Sequence, residues 1–334
     1  MYDNYIALDW AQENMAIARM TKTSDHVKCV DIPSNIKDLR IYLNNLRGSK
    51  IMTLEETSTS QWLYVELKPF VDELIICDPY RNKLLSEGAK NDVADAIKLV
   101  KLLRSGMLKP VYHSSDKLIS LRKLMSSYDD LIQRGVRLKN QRSALFREKG
   151  QSKKNREIKG DFEPFILKNL DRAIAEYEHD REIYVKEFEK VAKRFKVISH
   201  LKKIPGIGLI GATKIASTVV SSERFPSDNH FLSYCGLVRL EKLSGGKSYG
   251  YRMPRYNRQL KSVFKTAALS AITHEGEGKE YYLYLMKKKN YPDYQARHAV
   301  ARKLAVAAKA VMKNGNIYDL QKIGVFRELV KNRN

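Results

Sequence analysis

Cysteine is nearly absent. Three residues in 334, Cys29, Cys77 and Cys235, are odd in number and far apart. They exclude a disulfide framework and a cysteine-based zinc site. The seven histidines are scattered too, with no spacing such as HxxxH that would place two on one helix face. Long apolar runs are missing: none approaches the ~20 residues a membrane span needs. The N-terminal MYDNYIALDWAQ lacks the charged start and apolar stretch of a signal peptide, so a soluble, cytoplasmic chain is expected. Acid is also in short supply. Asp plus Glu number 38 against 61 Lys plus Arg, a formal charge of +23. Such an excess is costly in self-repulsion unless the partner is anionic. Nucleic acid is the first candidate and a membrane surface the second. Hydrophobic residues make up 43%, enough for a real core, and the length suits two or three domains.

The pattern changes twice along the chain. Residues 1–112 read as strands and helices in turn. Strand-like runs cover 5–11, 15–21, 26–31, 50–54 and 73–77. Helical spacing covers 36–46 (Ile36, Leu39, Leu43, Leu46), 62–70 and 92–108. Three strands followed by helix, strand, helix, strand, helix is the order of a ribonuclease H-like domain, although other α/β folds share parts of it. In residues 113–200, Leu118, Leu121, Met125, Tyr128 and Ile132 step by three and four. Leu167, Leu170, Ile174, Tyr177, Tyr184, Phe188, Val191 and Phe195 do so again, with Arg181 as the one polar interruption. That is the seam of two long helices in a coiled coil, either self-associating or folded back within one chain. Between them, residues 134–160 hold ten Lys/Arg against two Glu. They read either as a solvated tip or as a surface that tracks phosphates, with Arg134, Arg137, Lys139, Arg142, Lys153 and Lys154 as the contacts. Residues 201–334 form a third unit, mainly helical, which ends in an Ala- and Lys/Arg-rich helix over 294–312.

Four carboxylates stand out. Asp9 lies in an otherwise apolar strand, where a charge is costly to bury unless it is paired or binds metal. Glu55 ends the fourth strand. Asp92 and Asp95 are three apart and share a helix face. Taken singly, Glu55 reads as a helix cap and Asp92 as an N-cap. Taken together, the four can converge at one end of a sheet, where their repulsion calls for a cation. Hard oxygen ligands suit Mg²⁺ or Mn²⁺, and such ions can assist phosphodiester cleavage.

Two glycine-rich turns follow. Ile204-Pro205-Gly206-Ile207-Gly208 resembles a helix-hairpin-helix turn, in which Gly206 and Gly208 would let backbone N–H groups approach a phosphate; an ordinary helix–helix turn is the alternative. Leu243-Ser244-Gly245-Gly246-Lys247-Ser248 reads on spacing alone as a flexible loop. Its hydroxyl is open to a phosphate, and Lys247, Arg252, Arg255 and Arg258 are basic neighbours able to offset developing charge.

Together these motifs resemble the DEDD transposases, the insertion-sequence recombinases that include the Piv invertase. ALDWA around Asp9 matches their first motif. LEETSTSQW matches their Glu-x-Thr motif, with Glu55 in the glutamate position and Glu56 where a small residue is usual. KNDVADA matches the third, with Asp92 and Asp95. In the C-terminal part, IPGIGLIGATKI, RFPSDNHFLSYCGLV and LSGGKSYGYRMPRYNRQLKSVFKTAA correspond in order. Leu243 stands where the family often has a first serine, and Tyr256-Asn257 where Gly-Asn or Gly-Asp is usual. The resemblance implies a RuvC-like metal-binding domain (1–112), a coiled-coil connector (113–200) and a transposase domain (201–334). It implies Ser244 as a nucleophile that forms a phosphoserine link to DNA, aided by an Mg²⁺ or Mn²⁺ site on Asp9, Glu55, Asp92 and Asp95. It further implies an element-encoded guide RNA, double-stranded donor and target DNA, and a homo-oligomer, dimeric and then tetrameric in synapsis. The rivals are a RuvC-type nuclease or Holliday-junction resolvase using metal-activated water, and a nucleic-acid-binding protein without chemistry.

Overall fold

A computed structural model describes residues 1–79, 91–148, 150 and 158–315. The chain divides into two compact units, Met1–Ser115 and Asp116–Asn334. Lys153 and Lys154 lie outside the described residues. No disulfide joins the three cysteines. Among the described residues no helix is long and apolar enough to cross a membrane.

In the first unit, β1 (Asn4–Trp10), β2 (Asn14–Thr21) and β3 (Ser24–Pro33) form an antiparallel meander. Helix α1 (Ile36–Asn45) leads to β4 (Lys50–Glu55), which lies parallel to β1. Helix α2 (Ser60–Leu67) leads to β5 (Glu73–Cys77), parallel to β4. Helix α3 (Asp92–Arg104) and a short antiparallel β6 (Pro110–Val111) complete a sheet of order β3-β2-β1-β4-β5-β6. The helical expectation over 62–70 resolves into α2 and a 3-10 turn, Lys68–Phe70. Pro69 has no N–H to continue the α-helical ladder.

Alternation along the strands builds a core on each face of this sheet. Ile6, Leu8, Met15, Ile17, Met52 and Leu54 face α1 and α2, where Leu39, Leu43, Leu63 and Leu67 are fully buried. Each such leucine contributes roughly 2 kcal/mol by removal from water. Tyr5, Ala7, Ala16, Ala18 and Ile51 face α3, which buries Ala96, Leu99, Val100 and Leu103. The small alanines of β1 and β2 let α3 lie close to the strands.

The second unit opens with α4 (Lys117–Glu148) and α5 (Glu163–Arg194), each of 32 residues. Their heptad seam packs as a helical hairpin, with Tyr128 edge-on to Phe188 at a ring separation of 5.2 Å. Phe188 and Val191 are buried, as the spacing predicts, whereas Arg181, which the spacing puts in the seam, is exposed. The second helix stops at Arg194, just before Phe195, the last seam position read from the spacing. Phe195 is extended (φ −112°, ψ 95°) and a separate helix α6 (Lys196–Leu201) follows. The hairpin and the C-terminal helices belong to one unit. Asp129 of α4 takes an ion pair from Lys214 of α7 (Leu209–Val219) at 2.5 Å, and a hydrogen bond from Gln259 of α9 (Arg258–Thr273) at 2.9 Å. Arg122 donates to the Ser217 carbonyl at 3.0 Å. Helix α8 (Asp228–Tyr234), a two-stranded ribbon of β7 (Leu240–Ser244) and β8 (Lys247–Arg252), α10 (Glu277–Lys287) and the alanine-rich α11 (Asp293–Asn314) complete the unit.

Three of the basic residues expected to face phosphates are engaged elsewhere. Arg134 pairs with Asp180, Lys139 with Glu178 and Arg142 with Asp171, at 3.1, 2.9 and 2.5 Å. The excess charge counted along 134–160 is therefore partly balanced by acids of α5 that a linear count does not include. Arg137 is exposed on α4.

Candidate active site

Asp9 follows Ala7 on the α3 face of β1, one position beyond the last rung shared with β4, Leu8 opposite Leu54. Glu55 is the next residue of β4, and by alternation it lies on the same face as Ile51. Neighbouring strands are about 4.8 Å apart, so Asp9 and Glu55 are side by side at the C-terminal ends of two parallel strands. Asp92 and Asp95 stand in the first turn of α3, in the same i, i+3, i+4, i+7 stripe as the buried Ala96 and Leu99. They extend the face α3 turns to the sheet by one turn beyond its apolar part. The N-cap is Asn91, whose side chain accepts from the Ala94 N–H at 2.7 Å. Asp92 is therefore not the cap, and Glu55 is a strand residue. Neither of the separate capping roles applies, and both carboxylates are left for other work.

The electrostatics follow from this placement. Burial, then the charges of Asp92 and Asp95, push the Asp9 carboxyl up to about 6. Burial, then Asp9 and Asp95, raise Glu55. Asp9 thus feels Asp92 and Asp95, and Glu55 feels Asp9 and Asp95, through a partly dry corner. Among the described residues, the positive end of α3 and Lys98, whose Nζ is 3.5 Å from Asp95, offset this charge. The donor set, all carboxylate oxygen, suits a hard divalent cation in kind. Among the described residues, however, no three His, Cys, Asp or Glu side chains stand grouped as a ligand set.

One feature beside this corner has no local sequence signal. The His113 ring bridges Glu56, at 2.5 Å from Nε2, and the Gln61 side-chain oxygen, at 2.8 Å from Nδ1. Gln61 is itself oriented by donating to the Ser114 carbonyl at 2.9 Å. Glu56, next to Glu55, is thereby tied to a partner 57 residues away. Only the folded sheet brings the two together.

Ser244 ends β7 and pairs across the ribbon with Lys247. The segment expected to be a flexible loop is a two-residue hairpin turn. Gly245 and Gly246 have φ +54° and +75°, the sign that a tight twisted turn needs and that side-chain-bearing residues resist. Every residue of both strands is exposed. The first strand carries no apolar alternation; along the second Tyr249, Tyr251 and, just past its end, Met253 alternate, and Gly-Gly marks the turn between them. A bulge sets Tyr249 and Gly250 opposite Lys242. Cross-strand pairing places Lys242, Ser244, Lys247 and Arg252 on one face and Ser248 on the other. Arg255 follows, exposed, before α9.

The other turn has a packing role. Gly206 (φ +79°) approaches α9 so closely that a Cβ would meet the Ala267 carbonyl oxygen at 2.1 Å. Gly208 is the N-cap position of α7. Both line a 460 Å³ groove shared with Lys214, Arg258 and Ser262.

Two family models match the chain. One, an IS110-type DEDD model described as transposase, covers residues 6–149. The other, described as the transposase IS116/IS110/IS902 family, covers residues 198–283. The four carboxylates fall within the first, and the Gly206 turn and the serine hairpin within the second. The chain is 29% identical over 120 residues to the insertion element IS110 uncharacterized 43.6 kDa protein of Streptomyces coelicolor, and 29% identical over 115 residues to the insertion element IS116 uncharacterized 44.8 kDa protein of Streptomyces clavuligerus. These alignments cover 36% and 34% of this chain, and 29% and 27% of the relatives' own lengths. Two matched segments in the expected order, with the acids in one and the serine in the other, establish that the chain belongs to the insertion-sequence DEDD transposases.

Proposed function

We propose that the protein is an RNA-guided DNA recombinase of an insertion sequence, with a RuvC-type first unit, that cuts and exchanges strands through Ser244. The observation that carries this reading is that Asp9 and Glu55 end neighbouring strands, where burial, then the charges of Asp92 and Asp95 on Asp9 and of Asp9 and Asp95 on Glu55, raises both. The strand order β3-β2-β1-β4-β5, with β1, β4 and β5 the parallel strands among the described residues, supports the ribonuclease H-like assignment. The four carboxylates are the residues that would hold Mg²⁺ or Mn²⁺. When bound, such an ion neutralises charge on the phosphate under attack. In the proposed step the Ser244 Oγ–P bond forms as the bond from phosphorus to the leaving deoxyribose oxygen breaks. Serine gives up its proton and the leaving oxygen takes one up. Lys247, across the ribbon from Ser244, offsets the negative charge that develops on the phosphoryl oxygens. Guide RNA, donor and target duplexes, and assembly into dimers and then tetramers complete the reading.

The test is to incubate protein, co-purified RNA and DNA carrying the element's ends with Mg²⁺, and to look for a denaturation-resistant protein–DNA adduct. Ser244→Ala should abolish the adduct. Ser248→Ala, altered on the other ribbon face, should retain it. An adduct formed normally by Ser244→Ala overturns the assignment. The nuclease reading retains one observation in its favour, that all four acids belong to the first unit. Metal-dependent cutting with no adduct in the native protein would select it.

A further inference from the structure

A continuous basic strip runs along the exposed face of α9 in the second unit, opposite the face that buries Leu260, Phe264, Ala267 and Ala271. It starts at the groove beside the Gly206 turn, passes Arg258, Lys261, Ser262 and Lys265, and opens into a cleft of 660 Å³ at the base of the serine hairpin. That volume is within the range of about 300–1,000 Å³ seen for ligand clefts. Two properties of the cleft bear on what it binds. First, its positive charge has no counter-charge in the walls. Arg239, Lys261, Lys265 and Arg302 line it, and no Asp or Glu is among the described lining residues. By contrast Arg134, Lys139 and Arg142 each have a carboxylate partner. Second, the cleft presents aromatic rings to solvent. Tyr251 is 64% exposed, Tyr291 39% and Tyr294 70%. His298 sits among the cations, and its Nδ1 lies 3.3 Å from the Arg302 guanidinium. Burial, then Arg302, Lys261, Lys265 and Arg239, hold its pKa below the usual value, so the ring is kept neutral and can accept from Arg302.

We infer that this strip is a binding site for an unpaired DNA strand, the stretch flanking the phosphate that Ser244 attacks. Exposed tyrosines beside uncompensated cations suit bases whose faces are free to stack. A duplex hides those faces and offers only phosphates and groove edges. From Arg258 to Leu269 the helix advances about 17 Å, at ~1.5 Å per residue, which matches roughly five nucleotides at ~3.4 Å each. Tyr251 stands on β8 opposite Glu241, three residues back along β7 from Ser244. The cleft end of the strip therefore lies about 10 Å from the serine along the ribbon, at ~3.3 Å per residue. The choice of DNA rests on the proposed role of Ser244; the choice of an unpaired strand rests on the cleft alone.

The test uses the full chain in EDTA, so that binding is read without cutting and stands or falls independently of the adduct experiment. Fluorescence anisotropy measures binding of an eight-nucleotide mixed-sequence DNA, its duplex and the same sequence as RNA, across a salt series. The single strand should bind at least tenfold more tightly than its duplex. Lys261→Gln with Lys265→Gln should weaken it and lower the salt slope by about 1.4, at ~0.7 per phosphate on single strands. Tyr294→Ala and Tyr251→Ala, both at exposed positions, should each cost about fivefold and leave the slope unchanged. Duplex binding as tight as single-strand binding overturns the proposal, as do tyrosine variants with native affinity. Tighter binding of RNA than of DNA overturns the assignment to a DNA strand.

Discussion

A carboxyl whose folded pKa lies above its unfolded value holds its proton more tightly when folded, so protons favour the fold. For Asp9 the two values are 3.8 and about 6. Its destabilising contribution is absent below the first, grows as pH rises between them and is complete above the second. Asp9→Asn removes it. In EDTA at pH 7 the variant should be more stable than the native chain by about 1 kcal/mol, after allowance for the partial exposure of the group. The gain should shrink to nothing near pH 4, and thermal melts of both proteins across that range read it. The same variant should lose DNA cutting in Mg²⁺. A variant less stable than native at pH 7 would show that Asp9 is paired with something that stabilises it. At this scale the sequence was informative where a residue contradicted its surroundings. Asp9 in an apolar strand needs only its neighbours to be noticed. The Glu56–His113–Gln61 group needs the fold, since no residue near Glu56 announces a histidine 57 positions on.

The elements differ in how much side-chain pattern they show. The α4–α5 hairpin announces itself because its seam must be apolar to pack. Within it Gly135 is a notch filled by Tyr177, whose ring a Cβ would meet at 2.2 Å. Gly135→Ala gains about 1 kcal/mol in helix propensity but overpacks the seam by up to about 3 kcal/mol. Urea unfolding should show a net loss of about 1–2 kcal/mol. The β7–β8 ribbon is exposed throughout, and its one alternation, Tyr249, Tyr251 and Met253, is too short to have separated a strand from a loop. Its turn geometry is nevertheless strict. Gly246→Val places a β-branched residue at φ +75°, a region such residues avoid. It should cut strand cleavage at least tenfold through misplacement of Ser244. Because every ribbon residue is exposed, the melting temperature should stay within about 1 °C. A fall of many degrees would mean that the ribbon supports the core after all.

At the level of the whole chain, the charge of +23 points to polyanions but not to the surface that meets them. Location depends on which cations are already balanced. The folded hairpin pairs three that sequence counting had assigned to phosphates, whereas the α9 cleft faces solvent with no acid among its described walls. Pairs such as Lys214–Asp129, 85 residues apart, also join the hairpin to the C-terminal helices, a link that a heptad pattern cannot show. The acids and the serine belong to different units of the chain. If an assembled recombinase takes each from a different subunit, mixing Asp9→Asn with Ser244→Ala should restore adduct formation to roughly a quarter of native, the statistical share of complementary pairs. Two dead proteins that stay dead when mixed would place both groups of a working site in one chain.

The independence of the serine ribbon from the core has a genetic consequence. If the proposed assembly holds, a copy of the gene damaged only at the ribbon would make a chain that folds, persists and still occupies its place in it. Such a chain is not merely lost output. It dilutes the working copies, so decayed elements in one genome would restrain their active kin, with a dose dependence set by the number of chains each reaction requires.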